Sequence, residues 1–154
     1  MNQEHNTHLK FGMGNKREIK FEYGFNSING VVKKVYTLSE IPNIKDKCDV
    51  WGVLPLLYVR QFTGLKDSGG EGRDVFEGDI FDVVFKDCPD GYSIMGRETT
   101  VKVIKGVVDY KFGQFMIKFM HPEYKEVVNM NLNSFLENKE KVVIGNIFEN
   151  KELL

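Results

Sequence analysis

The chain is 154 residues long, a length that by the usual domain sizes of roughly 100 to 200 residues holds one domain or a small domain with an extension, and excludes a large multi-domain enzyme. Its 42% hydrophobic and 28% charged content, with 12 Phe, 6 Tyr and 1 Trp to fill a core, excludes wholesale disorder. The balance of 21 basic against 22 acidic residues excludes a global cationic field of the kind that drives non-specific nucleic-acid or membrane binding. Alanine, the best helix former, is absent, while 17 Val, 10 Ile and 15 Gly favour strands joined by tight turns.

Residues 1–16 show no period and read as a mobile leader, or as an arm that orders on a partner. Then Ile19, Phe21, Tyr23 and Phe25 alternate with Lys20, Glu22 and Gly24, predicting a half-buried strand. The stretch from Asn26 to Gly30 turns the chain, and Val31 to Thr37 returns as the second strand of a hairpin. Leu38 to Ile44 predicts one helical turn interrupted at Pro42, and Lys45 to Asp49 a charged loop. Leu56 to Phe62 predicts a strand. The five glycines between Thr63 and Gly78 predict a loop or hairpin end with sharp backbone reversals.

Asp79 to Phe85, Thr99 to Tyr110, Gln114 to Met120, Glu126 to Asn131 and Val142 to Ile147 each predict a strand, with a turn at Pro89-Asp90-Gly91. Five short strands with short links suggest a small barrel. Ser134 and Glu137 match the S-x-x-E capping box and predict a short helix ending near Lys141.

These residues carry a family resemblance. The run Gln61 to Asp67 (QFTGLKD), the run Val75 to Ile80 (VFEGDI) and the closing run Val143 to Asn150 (VIGNIFEN) followed by Glu152-Leu153-Leu154 resemble the signatures of the YopX family, which is encoded by phages and prophages. The N-terminal Ile19-Lys20-Phe21 and the run Thr37 to Ile41 are similar to one branch of that family. The resemblance spans residues 17–154. It departs in a loop between Asp67 and Phe76 that is about two residues longer, and in Lys151 where a proline is common. The resemblance implies a mainly β fold with an SH3-like barrel, and it brings no reaction with it. It marks Thr63, Gly64, Leu65, Asp67, Glu77, Gly78, Asp79, Gly145 and Asn146 as motif positions with structural roles. The expected organisation is a leader over 1–16, an N-terminal β-hairpin segment over 17–60, and an SH3-like barrel with one short helical turn over 61–154.

Asp67, Glu71, Asp74, Glu77 and Asp79 place five carboxylates around the glycine-rich loop, where oxygen ligands can hold a divalent ion or serve as acid and base. The spacing does not match a calcium loop, and no Gly-Lys-Ser/Thr follows the glycines as phosphate cradling requires. The favoured reading is that these carboxylates accept backbone N–H bonds in turns, with metal-dependent activity as the alternative. His5, His8 and His121 lack a ligand pattern, and Cys48 and Cys88 lack metal spacing or a neighbouring base, so no catalytic residue, metal or cofactor is expected.

Tyr110, Phe112, Phe115 and Phe119 interleave with Lys111 and Lys118, a stacking-plus-charge pattern that strand alternation otherwise assigns to a core. Residues 1–60 carry a net charge of +3 and residues 61–154 a net of −4. Lys10, Lys16, Arg17, Lys20, Lys33 and Lys34 thus form the candidate anionic-partner face, while the same asymmetry suits head-to-tail self-association. The expectation is a non-catalytic binding or self-assembling module, a homo-oligomer with a host or phage protein as a further partner; nucleic-acid binding is the alternative. With no apolar run of roughly 18 residues and a polar N-terminus, the expected location is cytoplasmic, without membrane contact.

Overall fold

The computed structural model describes residues 18–87, 100–137 and 140–154. The chain is mainly β, with curled antiparallel sheets and short helical turns. In chain order it runs β1 (Lys20–Ser27), β2 (Gly30–Thr37), a 3-10 turn (Ile41–Asn43), α1 (Ile44–Lys47), β3 (Leu56–Lys66), β4 (Asp74–Phe76), β5 (Asp79–Asp87), β6 (Thr100–Lys111), β7 (Gln114–Met120), β8 (Val127–Asn131), α2 (Leu132–Glu137), β9 (Val143–Asn146) and a closing 3-10 turn (Lys151–Leu153). One sheet has the order β2-β1-β3-β4, the other β8-β7-β6-β5-β9. The five strands expected after residue 78 are therefore neighbours in a single sheet, with β8 and β9 at its ends. The predicted turn at Pro89-Asp90-Gly91, Cys88, and the leader with His5 and His8 lie outside the described residues.

The predicted hairpin is present, with Ser27 opposite Gly30. Its apolar alternation buries Tyr23 and Phe25 with Tyr36, Ile44 and Cys48, and Trp51 packs on both Tyr23 and Phe25 edge to face. Pro42 does not interrupt a helix. It sits in the first positions of the 3-10 turn, where the missing N–H has no partner to lose, and the chain continues into α1. The stretch expected as a charged loop is thus helical through Lys47, because buried Ile44 and Cys48, four apart, face the same core.

β3 corrects the sequence reading most. The expected end is Phe62, but the strand continues to Lys66, so the boundary expected at residue 60 falls inside one strand. Its first half pairs with β1 and its second with β4. Gly64 at φ 85° lets the strand bulge between the rungs at Phe62 and Lys66, and the Thr63 hydroxyl donates to Val75 O at 2.8 Å across the irregularity. The loop is confined to residues 67–73.

The second core joins Phe81, Val83, Val108, Phe115, Ile117 and Phe119 of the five-stranded sheet to Val75 of β4 and to Leu132 and Phe135 of α2. The helix begins at Leu132, earlier than the capping box at Ser134 predicts. Leu132 and Phe135, spaced i, i+3, are both buried, which draws the helix start to Leu132 and makes Asn131 the cap: its Oδ1 accepts the Ser134 N–H at 3.2 Å. Glu137 instead accepts from the Asn133 side chain.

Two of the motif glycines, Gly64 and Gly78, are explained by conformation, and Gly145 by crowding. Gly78 (φ 82°) is crowded as well, since a Cβ there would lie 3.1 Å from both Ile147 and Phe148, whereas a Cβ on Gly145 would lie 2.6 Å from Asn150 Oδ1. Alanine at Gly64 or Gly145 is expected to lower stability by about 1 kcal/mol, and at Gly78, where both costs combine, by about 2 kcal/mol or more. Denaturant melts test this; three variants as stable as the parent would refute it.

Candidate functional site

The residues with the most unusual environment lie where the two sheets meet. Arg60 projects from β3, is only 6% exposed, and its Nε donates to Glu22 Oε1 on β1 at 2.8 Å. Its Nη1 donates to Asp79 Oδ1, at the first position of β5. Asp79 is 1% exposed, and its other oxygen accepts the Phe76 N–H at 2.7 Å. The guanidinium stands 5.0 Å from the Phe76 ring centroid, a cation–π distance. Tyr58 lies over Gly24 so closely that a Cβ there would fall 2.3 Å from its ring. The Tyr58 hydroxyl is 3.1 Å from Glu22 Oε1 and 2.8 Å from Glu149 Oε1, and its ring stacks on Phe148 at 4.5 Å.

One buried guanidinium thus faces two buried carboxylates, leaving an excess negative charge in dry surroundings. Burial pushes the Asp79 carboxyl up to about 6; Arg60 and the Phe76 N–H pull it down, and the Glu22 charge adds to the rise. Burial also raises the Tyr58 phenol, reinforced by its bond to Glu149. Glu149 moves the other way: burial would raise it, but Lys33, Asn146 and Tyr58 together hold it below the usual range.

The motif residues frame this junction. Asp67 is buried and accepts three backbone bonds, from Gly69 and Arg73 on Oδ1 and from Val143 on Oδ2, so it ties the loop over 67–73 to the start of β9. Asp79 pairs with Asn146, and Ile80 with Gly145. Asn146 Oδ1 accepts the N–H groups of Phe148 and Glu149, both at 3.0 Å, closing the turn that positions Phe148 and Glu149 against Tyr58. Leu65 packs on the second core, and Glu77 N–H donates to Gln61 O.

The five loop carboxylates are not brought together. Asp67 and Asp79 accept backbone donors as the structural reading expects, Asp74 pairs with Lys20 at 2.6 Å and Lys66 at 2.9 Å, and Glu71 is exposed. Among the described residues no three His, Cys, Asp or Glu side chains are placed to hold a metal ion. The candidate basic face is likewise occupied by its own acids: Lys20 by Asp74, Lys33 by Glu149 at 2.8 Å, and Lys34 by Asp49 at 2.9 Å. Lys10, Lys16 and Arg17 lie outside the described residues. Of the aromatic series, Phe115 and Phe119 are core, while Tyr110 and Phe112 are exposed with Lys111 over the Phe112 ring. His121 accepts two backbone N–H bonds in a turn, and Cys48 is buried.

Beside the junction a groove of about 510 Å³ opens between β3 and the second sheet. Val59, Val107, Met120, Val127, Ile147 and Phe148 supply its apolar walls, and Glu77, Lys105, Asp109 and Lys118 its rim. Sequence reasoning points to neither the groove nor the cluster of Glu22, Tyr58, Arg60 and Glu149. The one signal it offers is a lone charged residue, Arg60, within the mostly apolar run Leu56 to Phe62.

A family model described as YopX protein matches residues 8–154. No curated protein and no solved structure matches the chain.

The raised Asp79 carboxyl binds its proton more tightly in the folded chain than in the unfolded one. Its contribution to stability is therefore fully present below about pH 4 and is lost as pH rises through 6. Asp79→Asn removes that titration, so the substitution should cost more at pH 4 than at pH 7, by up to roughly 3 kcal/mol at about 1.4 kcal/mol per pH unit. Paired urea melts of parent and variant at several pH values measure it. A cost that is flat with pH, or larger at pH 7, would contradict the assignment.

Proposed function

The chain belongs to the YopX family, and on that footing we propose that it acts by binding rather than catalysis, as a phage or prophage accessory module whose target is a protein. One observation carries this reading: among the described residues, the buried charged groups are committed to one another and to backbone donors. Glu22 and Asp79 hold Arg60, and Asp67 holds three N–H groups. Groups so engaged serve the fold, whereas a catalytic acid, base or nucleophile needs access to a substrate atom. The open apolar groove beside them is the kind of surface that receives a partner.

We read the five-stranded sheet, with β4, the end of β3 and α2 packed on its inner face, as an SH3-like barrel. Support comes from the shared core in which Leu65, Val75, Leu132 and Phe135 meet strand residues. No helix among the described residues is long and apolar enough to cross a membrane. Nucleic-acid binding through Lys20, Lys33 and Lys34 draws less support, because each already pairs with a carboxylate of the chain. Self-association driven by the opposite charges of the two halves is a second form of the same protein-binding reading.

Affinity capture with the full chain from phage-carrying cells, with and without nuclease, tests the proposal. A partner protein retained after nuclease treatment is the expected result. Capture that disappears with nuclease would instead favour the nucleic-acid reading.

A further inference from the structure

The groove beside β3 coincides with a strand position that the first sheet leaves empty. In an antiparallel sheet, each residue turns its N–H and C=O to one neighbour, and successive residues alternate. The Leu38 N–H donates to Ile19 O, so the odd-numbered residues of β1 bond to β2, and Glu22 and Gly24 bond to β3. Their partners are Arg60 and Tyr58. Val59 and Gln61 therefore direct their backbone groups away from β1. The Glu77 N–H, donated to Gln61 O at 2.9 Å, independently gives the same orientation.

The ladder between β3 and β4 runs from Phe62 opposite Phe76 to Gln61 opposite Glu77, and the next rung would set a partner beside Val59. The chain leaves instead. At Gly78, φ 82°, it turns into the second sheet and donates its N–H to Val108 O at 2.8 Å. Val59 is left as a strand edge, 43% exposed, on the wall of the groove. The opposite wall is the outer face of the second sheet at Val107, Met120 and Val127.

The geometry points to this slot as a β-augmentation site, in which an extended peptide segment of a partner protein adds to β3 at Val59 and lays alternate apolar side chains against Val107, Met120 and Val127. The site deepens, and rests on, the protein-binding reading above. A single segment suits it better than the edge of a second copy. The slot is walled on both sides, whereas an edge strand of a folded sheet brings its own neighbour about 4.8 Å away. The rim adds selectivity: Lys118 and Asp109 on the second sheet, and Glu77 beside β3, have no ion-pair partner among the described residues. They favour a segment carrying both an acidic and a basic residue outside its apolar positions.

A randomised peptide library selected on the full chain, followed by fluorescence polarisation with the enriched peptide, tests the site. Val59→Pro removes the outward N–H without breaking a bond to β1, so thermal melts should show it folded; Val107→Asp places a charge in the groove without touching the β3 backbone. Expected are enrichment of peptides with alternating apolar residues, and at least about tenfold weaker binding by each variant and by the peptide N-methylated at its central residue. No enrichment, or binding unchanged in Val59→Pro, would overturn the proposal. A parent chain that is dimeric by light scattering and monomeric as Val59→Pro would also overturn it, by making a second copy the occupant. Nuclease-resistant capture of a cellular protein that persists in both variants would overturn this site alone, whereas failure of that capture with the parent chain would overturn the binding reading itself.

Discussion

The arrangement of the two sheets depends on where the Arg60 guanidinium finds its counter-charges. It lies on β3, and its two carboxylate partners come from different sheets, Glu22 on β1 and Asp79 at the head of β5. A buried cation without partners costs several kcal/mol, so any arrangement of the sheets that separates Arg60 from either carboxylate is disfavoured. Replacing a whole cluster of this kind with apolar side chains is often neutral or stabilising, whereas removing one partner leaves a buried charge uncompensated.

The neighbouring structure is organised around the same point. Gly78 turns the chain out of the first sheet directly before Asp79, so the carboxylate sits where β5 begins. Gly24 gives up a side chain so that Tyr58 can lie flat across β1, which carries its hydroxyl to Glu22 and Glu149. Phe148 then stacks on that ring, and the turn at Asn146 holds Phe148 and Glu149 in reach. The departure at Gly78 that places Asp79 also empties the strand position next to Val59. The junction and the groove are thus two results of one turn.

Much of the strand pattern was legible because alternation is local. Phe21, Tyr23 and Phe25 read correctly as one face, and the strand Gln114 to Met120 has the predicted bounds. The structural reading of the loop carboxylates likewise suits Asp67 and Asp79, since short acidic side chains in glycine-rich turns commonly accept backbone N–H groups. The same alternation misled at Glu22. A charged residue between aromatic ones marks a solvent face in a strand covered on one side, but β1 is covered on both, by the Trp51 cluster and by the layer of Tyr58 and Arg60. The lysines show the same limit of local reading: in the sequence Lys20, Lys33 and Lys34 form a basic set, while in space each also meets an acid from a distant or adjoining segment.

Most of the strands and the family were readable from the chain alone, because period-two alternation, glycine turns and the motif runs around Gly64, Gly78 and Gly145 act over a few residues and need no knowledge of what lies across the core. Only the tertiary structure decided the extent of β3, the start of α2, the pairing of Arg60 with Glu22 and Asp79, and the vacant edge at Val59. Each of these rests on contacts between residues far apart in the chain. β3 is drawn past Phe62 by its rungs to β4, α2 begins where Leu132 and Phe135 can both reach the core, and a buried charge takes whichever partner the packing brings within hydrogen-bond distance.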